Sequence, residues 1–125
     1  MIEASCHCGA VKLEIASKPT SVTECTCSIC RRLGVRWAHY SPDDVKVIVE
    51  PGATGIYMWN DRCIEFHHCR TCGCTTHYEG IGEEPRRVVN ARLMEAEVIR
   101  GVPIRMFDGA SSWEYLDDNQ NRVVE

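Results

Sequence analysis

Nine cysteines occur in this chain of 125 residues, and seven of them lie in three short motifs. Cys6-His7-Cys8-Gly9 opens the chain, Cys25-Thr26-Cys27-Ser28-Ile29-Cys30 follows, and Cys69-Arg70-Thr71-Cys72-Gly73 completes the set. In C-x-C or C-x-x-C followed by glycine, a tight turn points both sulfurs the same way. Glycine at 9 and 73 removes the Cβ that would crowd such a turn. Two such pairs supply the four thiolates of a closed tetrahedral site. Any fold of this chain that uses them together must bring residues 6–8 beside residues 69–72, across about sixty intervening positions.

The middle motif differs in kind. A structural zinc takes four protein ligands, whereas a catalytic zinc takes three and keeps a position open. Cys25, Cys27 and Cys30 supply three thiolates on their own, which leaves a place for water or a substrate thiol. Sets of four and of three sulfurs select zinc among the common ions, so two zinc ions per chain are expected. A fourth protein ligand could still close the second site, and His39, His67, His68, His77, Cys63 and Cys74 are the candidates. His7 lies between two ligands and is expected to face solvent. His67 and His68 should point to opposite faces of a strand. Cys74 cannot easily reach the ion shared by Cys69 and Cys72 and reads as a structural thiol. Cys63 suits a small buried hydrophobe.

Charge and composition narrow the classes. The formal net charge is −4 and the arginines are dispersed, which argues against a chain whose main work is gripping nucleic acid. The longest apolar run is too short to span a bilayer. Residues 1–16 show no basic start, apolar stretch and small-residue cleavage site in sequence, so no signal peptide is read. A reducing cytoplasm is the expected compartment, where paired cysteines are metal ligands or redox pairs. The length fits a single domain spanning 1–125. Aromatic residues are 7% of the chain, and metal crosslinks would reinforce so small a core.

Alternation dominates the hydrophobic pattern. Val11, Leu13 and Ile15 alternate with Lys12, Glu14 and Ala16, and Val45, Val47 and Val49 alternate with Lys46, Ile48 and Glu50 before Pro51-Gly52. Ile56, Met58 and the stretch from Cys63 to Phe66 predict a hairpin around Asn60-Asp61. Thr75 to Glu79 and Arg87 to Leu93 are two further strand candidates. Only Ser28–Leu33 and Met94–Arg100 read as helical. Asp117 to Glu125 is polar and is expected to fray or dock loosely. The class expected is a mainly β domain with zinc joining its sheets.

No nucleophile elbow, phosphate loop or dinucleotide glycine pattern is present. The βαβ context of a thioredoxin-like pair is missing as well. Among the basic residues, Arg31 and Arg32 lie next to the three-thiolate motif and are the first choice to meet a carboxylate-bearing ligand.

Cys6-His7-Cys8-Gly9-Ala10-Val11, the triplet Cys25, Cys27 and Cys30, and Cys69-x-x-Cys72-Gly73 resemble the glutathione-dependent formaldehyde-activating (GFA) family, which includes centromere protein V-type proteins. Val89 to Leu93 and Val102 to Gly109 look like that family's C-terminal part. The resemblance implies tent-like antiparallel β-sheets similar to a Rab exchange accessory protein. It implies a structural zinc on Cys6, Cys8, Cys69 and Cys72, and a second zinc on Cys25, Cys27 and Cys30, the residues that would carry catalysis. It also implies a carbon–sulfur lyase-type reaction that adds formaldehyde to the thiol of glutathione. Two other readings stay open: a non-catalytic zinc module used as an interaction surface, and a thiol or redox sensor. Edge strands in a small β domain also leave a homodimer open.

Overall fold

The computed structural model describes residues 1–59, 63–82, 85–116 and 121–125. Eleven strands and two short α-helices run along these residues. The strands are β1 (Ile2–Ser5), β2 (Val11–Ile15), β3 (Val22–Cys25), β4 (Trp37–Tyr40), β5 (Val45–Val49), β6 (Thr54–Tyr57), β7 (Ile64–Cys69), β8 (Thr75–Gly80), β9 (Arg86–Asn90), β10 (Ile104–Phe107) and β11 (Tyr115–Leu116). The helices are α1 (Ser28–Leu33) and α2 (Ala96–Ile99). A three-stranded sheet has the order β1-β2-β5, and an eight-stranded sheet has the order β11-β10-β3-β4-β9-β8-β7-β6. The protein is mainly β, as its alternation predicts. No described helix is long and apolar enough to cross a membrane.

The pairings are antiparallel except one: β10 runs parallel to β3, with Phe107 opposite Cys25. A parallel pair needs a long crossover, and here most of the chain lies between the two strands. That pairing sets the loop after β10 beside the three-cysteine motif.

Successive strand residues point to opposite faces, and the large sheet is buried on both. Ala38 and Val89 face a core shared with the small sheet, which holds Ala4, Leu13, Ile15 and Val45. Trp37 and Val88, their neighbours in sequence, face a second cluster with Cys30, Phe66 and Tyr78. A third cluster, Cys6, Val11 and Cys69 with Cys72 and Cys74 against it, joins the two sheets at one end.

The predicted hairpin is present as antiparallel β6 and β7, while its turn at Asn60-Asp61 lies outside the described residues. The strand expected over Arg87 to Leu93 stops at Asn90, whose side chain caps a 3-10 turn by accepting from Arg92 N. The helix expected from Met94 is confined to Ala96–Ile99, because Met94 is extended and bridges to Ala4. The end of the chain is better held than its polarity suggests. Val124 is buried and exchanges backbone hydrogen bonds with Val102 and Gly101, and Arg122 pairs with Glu24 at 2.9 Å. Residues 117–120 of that segment lie outside the described residues.

Candidate functional site

The structure brings Cys6 and Cys8, at the end of β1, against Cys69 and Cys72, at the end of β7. Cys6 Sγ lies 3.8 Å from Cys8 Sγ, which lies 3.6 Å from Cys69 Sγ. These spacings suit the edges of a tetrahedron with bonds of roughly 2.3 Å. Each pair sits on a turn closed by glycine in the left-handed region, Gly9 at φ +86° and Gly73 at φ +82°. The Gly9 and Gly73 amides donate to the carbonyls of Cys6 and Cys69, and Val11 N donates to Cys6 Sγ at 3.3 Å. Backbone amides of Cys74 and Cys8 hold the Cys72 thiol down to about 5. The donor set is thus prepared for a soft divalent cation. His7 is exposed, as expected for a residue between two such cysteines.

Cys25, Cys27 and Cys30 also come together, with all sulfurs within 4.8 Å of one another. Cys25 ends β3, Cys27 caps α1, and Cys30 lies in the first turn of that helix. Cys25 Sγ accepts from Cys27 N at 3.5 Å, Cys27 Sγ from Cys30 N at 3.4 Å, and Cys30 Sγ from Trp37 Nε1 at 3.3 Å. The neighbouring Cys30 thiol, with the Cys27 and Gly109 amides, takes Cys25 down to about 5 against the effect of burial. Cys30 is pushed up by the same contact with Cys25 and by burial. Three crowded sulfurs cannot all ionise without a cation to share, so this donor set also fits zinc. Among the described residues, no fourth histidine, cysteine or carboxylate joins the trio.

The loop after β10 clamps this cluster. Thr26 N donates to Phe107 O at 3.0 Å, Thr26 Oγ1 donates to Asp108 Oδ1 at 2.8 Å, and Ala110 N donates to Thr26 Oγ1 at 3.2 Å. Gly109 packs so closely that a Cβ there would lie 2.7 Å from Cys25 Sγ.

The cluster opens on a cavity of about 540 Å³, walled by Trp37, Phe66, Tyr78, Trp113 and Tyr115 among others. His39 and Cys63, two of the candidate fourth ligands, line it without joining the three sulfurs. Burial and the nearby Arg86 hold His39 below the ordinary imidazole range. Cys63 is exposed, contrary to the expectation of a small buried hydrophobe, because it precedes β7 at the cavity edge. Arg31 and Arg32 are exposed outside the cavity, and Arg32 caps its own helix through Ser28 O. The arginine among the described wall residues is Arg86. Trp37 and Gly109 are further residues that motif spacing did not single out.

His67 and His77 lie on the other side of the large sheet, with Glu79, and their ring centroids are 4.4 Å apart. Their planes differ by 16°, so in-plane lone pairs run side by side instead of converging on one ion. Thr54 and Thr76 hold their Nδ1 atoms at 3.2 and 2.8 Å, and Arg87 clamps Glu79. This is the pattern of a buried polar network. The His68 ring lies so close against Gly55 that a Cβ there would collide with its Cε1. Cys74 packs beside the four-cysteine cluster without belonging to it.

Fold and site define a class: a two-sheet β protein with one four-cysteine cluster joining its sheets and one three-cysteine cluster facing a cavity. The chain matches the family described as "Glutathione-dependent formaldehyde-activating enzyme" over residues 1–102, and it belongs to that family. It is 36% identical over 81 residues to a putative glutathione-dependent formaldehyde-activating enzyme of Halomonas elongata, a match covering 58% of this chain and 52% of the relative. The chain therefore spans about half the length of that curated relative. A crystal structure of a Rhodobacter sphaeroides protein superposes with a TM-score of 0.67 at 30% identity, covering 75% of this chain and 88% of the other.

Proposed function

We propose that this chain is a single zinc-binding domain with two zinc ions, acting as a carbon–sulfur lyase-type enzyme that joins a small aldehyde to a thiol, with glutathione and formaldehyde the reference pair. The observation that carries this reading is the three-sulfur cluster at the wall of a cavity, with no fourth ligand among the described residues. Cys6, Cys8, Cys69 and Cys72 would hold the structural ion, and Cys25, Cys27 and Cys30 the second. Bound zinc keeps a thiol ionised at neutral pH and draws charge from a carbonyl.

The chain's own contribution is positioning. Aldehyde and thiol already combine in water, so holding both in one cavity is the main gain available. In the forward direction a carbon–sulfur bond forms, the carbonyl π bond breaks, and the thiol proton passes to the former carbonyl oxygen. His39, on the cavity wall and held neutral, is available to relay that proton. The aromatic walls would give the reacting atoms a largely apolar surrounding. Trp37 orients Cys30, and the Asp108–Thr26 bond pins the loop that packs on Cys25.

The test is zinc per chain by elemental analysis on protein kept reduced and free of chelator, followed by exchange NMR of thiol–aldehyde adducts. Two ions and an exchange rate that rises with protein concentration, and falls in Cys27→Ser, are expected. One ion, or exchange no faster than in buffer, would remove the enzyme reading in favour of a sensor or an interaction module.

A further inference from the structure

Most arginines with described contacts are committed to the protein itself. Arg36 and Arg122 clamp Glu24, Arg87 clamps Glu79, and Arg32, Arg70 and Arg92 cap backbone carbonyls. Arg86 is different. Its guanidinium reaches the Tyr78 hydroxyl and its carbon lies 5.6 Å from the centre of that ring, but its Nε is buried and has no hydrogen-bond partner. Tyr78 packs edge-on against Trp37 at 4.8 Å, and Trp37 reaches Cys30 at 3.3 Å. Arg86 thus stands two aromatic rings from the three-sulfur cluster, on the wall of the same cavity.

A guanidinium with a buried donor left unmade calls for an acceptor, and a carboxylate matches its fork best. Arg86 is the one permanently cationic side chain on the described cavity wall, and no carboxylate shares that wall. The remaining lining is largely apolar. Trp113 at its rim keeps a backbone φ of +60°, a left-handed conformation unusual for so large a side chain, while packing edge-on against Phe107. Glutathione, with two carboxylates and an ammonium, would bring one more carboxylate than the described residues of this wall can pair. Its second carboxylate would need the adjoining polar cavity of about 330 Å³, which shares Thr23, His39 and Tyr115 and carries Lys18 and Arg105.

We propose that Arg86 is the carboxylate-reading residue of this cavity, and that its thiol substrate has an apolar, aromatic or branched body bearing a single carboxylate. The thiol end of this proposal rests on the carbon–sulfur reading above; the carboxylate end rests on the cavity wall alone.

The two ends can be tested apart. Tryptophan fluorescence of the zinc-loaded protein is titrated with 3-phenylpropionate and with 3-phenylpropanamide, which differ in the charged group. The carboxylate is expected to bind about tenfold tighter or more, as a charge-assisted bidentate pair should. Arg86→Met should erase that preference, Arg86→Lys should keep part of it, and the double variant Lys18→Met, Arg105→Met should leave it unchanged. Equal binding of acid and amide by the native protein, or a preference that survives Arg86→Met, would overturn the proposal.

The thiol end is read from the absorption of the cobalt-substituted protein on adding 3-[4-(sulfanylmethyl)phenyl]propanoate, whose ring separates the thiol from the carboxylate, or glutathione. The aromatic thiol is expected to perturb the spectrum at the lower concentration. Tighter ligation by glutathione would overturn the substrate class while leaving the carbon–sulfur reading in place. No ligation by either thiol would remove the carbon–sulfur reading and the thiol clause with it, and the acid-against-amide preference would still decide the Arg86 site.

Discussion

The indole Nε1 of Trp37 donates to the Sγ of Cys30 across 3.3 Å, tying β4 to the first turn of α1. Burial disfavours the Cys30 thiolate, and this N–H acts in the opposite direction. Such partners of a ligand orient it and tune its basicity. Trp37→Phe keeps the ring in the core and removes the donor. Zinc affinity at the three-cysteine cluster is expected to fall roughly tenfold, with the four-cysteine cluster unchanged. Competition against a chromophoric chelator checks this, and equal affinities for both proteins would reject it.

Gly109 has no room for a side chain. A Cβ would meet Cys25 Sγ at 2.7 Å and Cys27 Cβ at 3.2 Å, so either the loop or the sulfurs must move. Gly109→Ala is expected to lower zinc content from two ions toward one while the far-ultraviolet circular dichroism stays native. Undiminished zinc in the variant would mean that the loop yields and the cluster does not.

The two cysteine clusters should separate in thermal melts. Cys6, Cys8, Cys69 and Cys72 join chain segments about sixty residues apart, and zinc bound by small peptides contributes on the order of 10 kcal/mol. Cys69→Ser is expected to lower Tm sharply and make native zinc-loaded protein hard to recover. Cys27→Ser, at a cluster that spans one helix start, should shift Tm by only a few degrees. Comparable losses from both variants would contradict this division.

His77 links stability to acid. Burial, with smaller effects of His67 and Arg87, takes its pKa from the ordinary 6.5 down to about 3. The folded state therefore favours the neutral ring, and this contribution is complete above about pH 6.5 and lost as pH falls toward 3. Thr76 Oγ1 lies 2.8 Å from its Nδ1, so a glutamine can retain a partner. His77→Gln is expected to flatten the fall in urea midpoint between pH 6.5 and 4 relative to the native chain. Parallel profiles for the two proteins would show that His77 does not carry this dependence.

Alternation at Val11-Leu13-Ile15 was readable because that strand keeps its apolar residues toward one buried face, and in Val45-Val47-Val49 burial fades along the strand from Val45 to the exposed Val49. Trp37-Ala38 in β4 and Val88-Val89 in β9 give no such signal. Both faces of their sheet are buried, so consecutive residues are apolar. The contraction of the second helix to Ala96–Ile99 was equally illegible, since it depends on a bridge from Met94 to Ala4 at the other end of the chain.

The cysteine spacing by itself determined which thiols sit side by side within each motif, through the covalent geometry of a C-x-C or C-x-x-C turn, but not that the first and last pairs meet across the fold. It also marked the middle motif as having three donors and the other two as having a pair each. Only the tertiary structure decided what the three-donor group faces. Trp37, Tyr78 and Arg86 belong to three separate strands, and β10 must run parallel to β3 before Gly109 can cover Cys25. A cavity is a property of surfaces brought together over long sequence separations, and no local pattern records it.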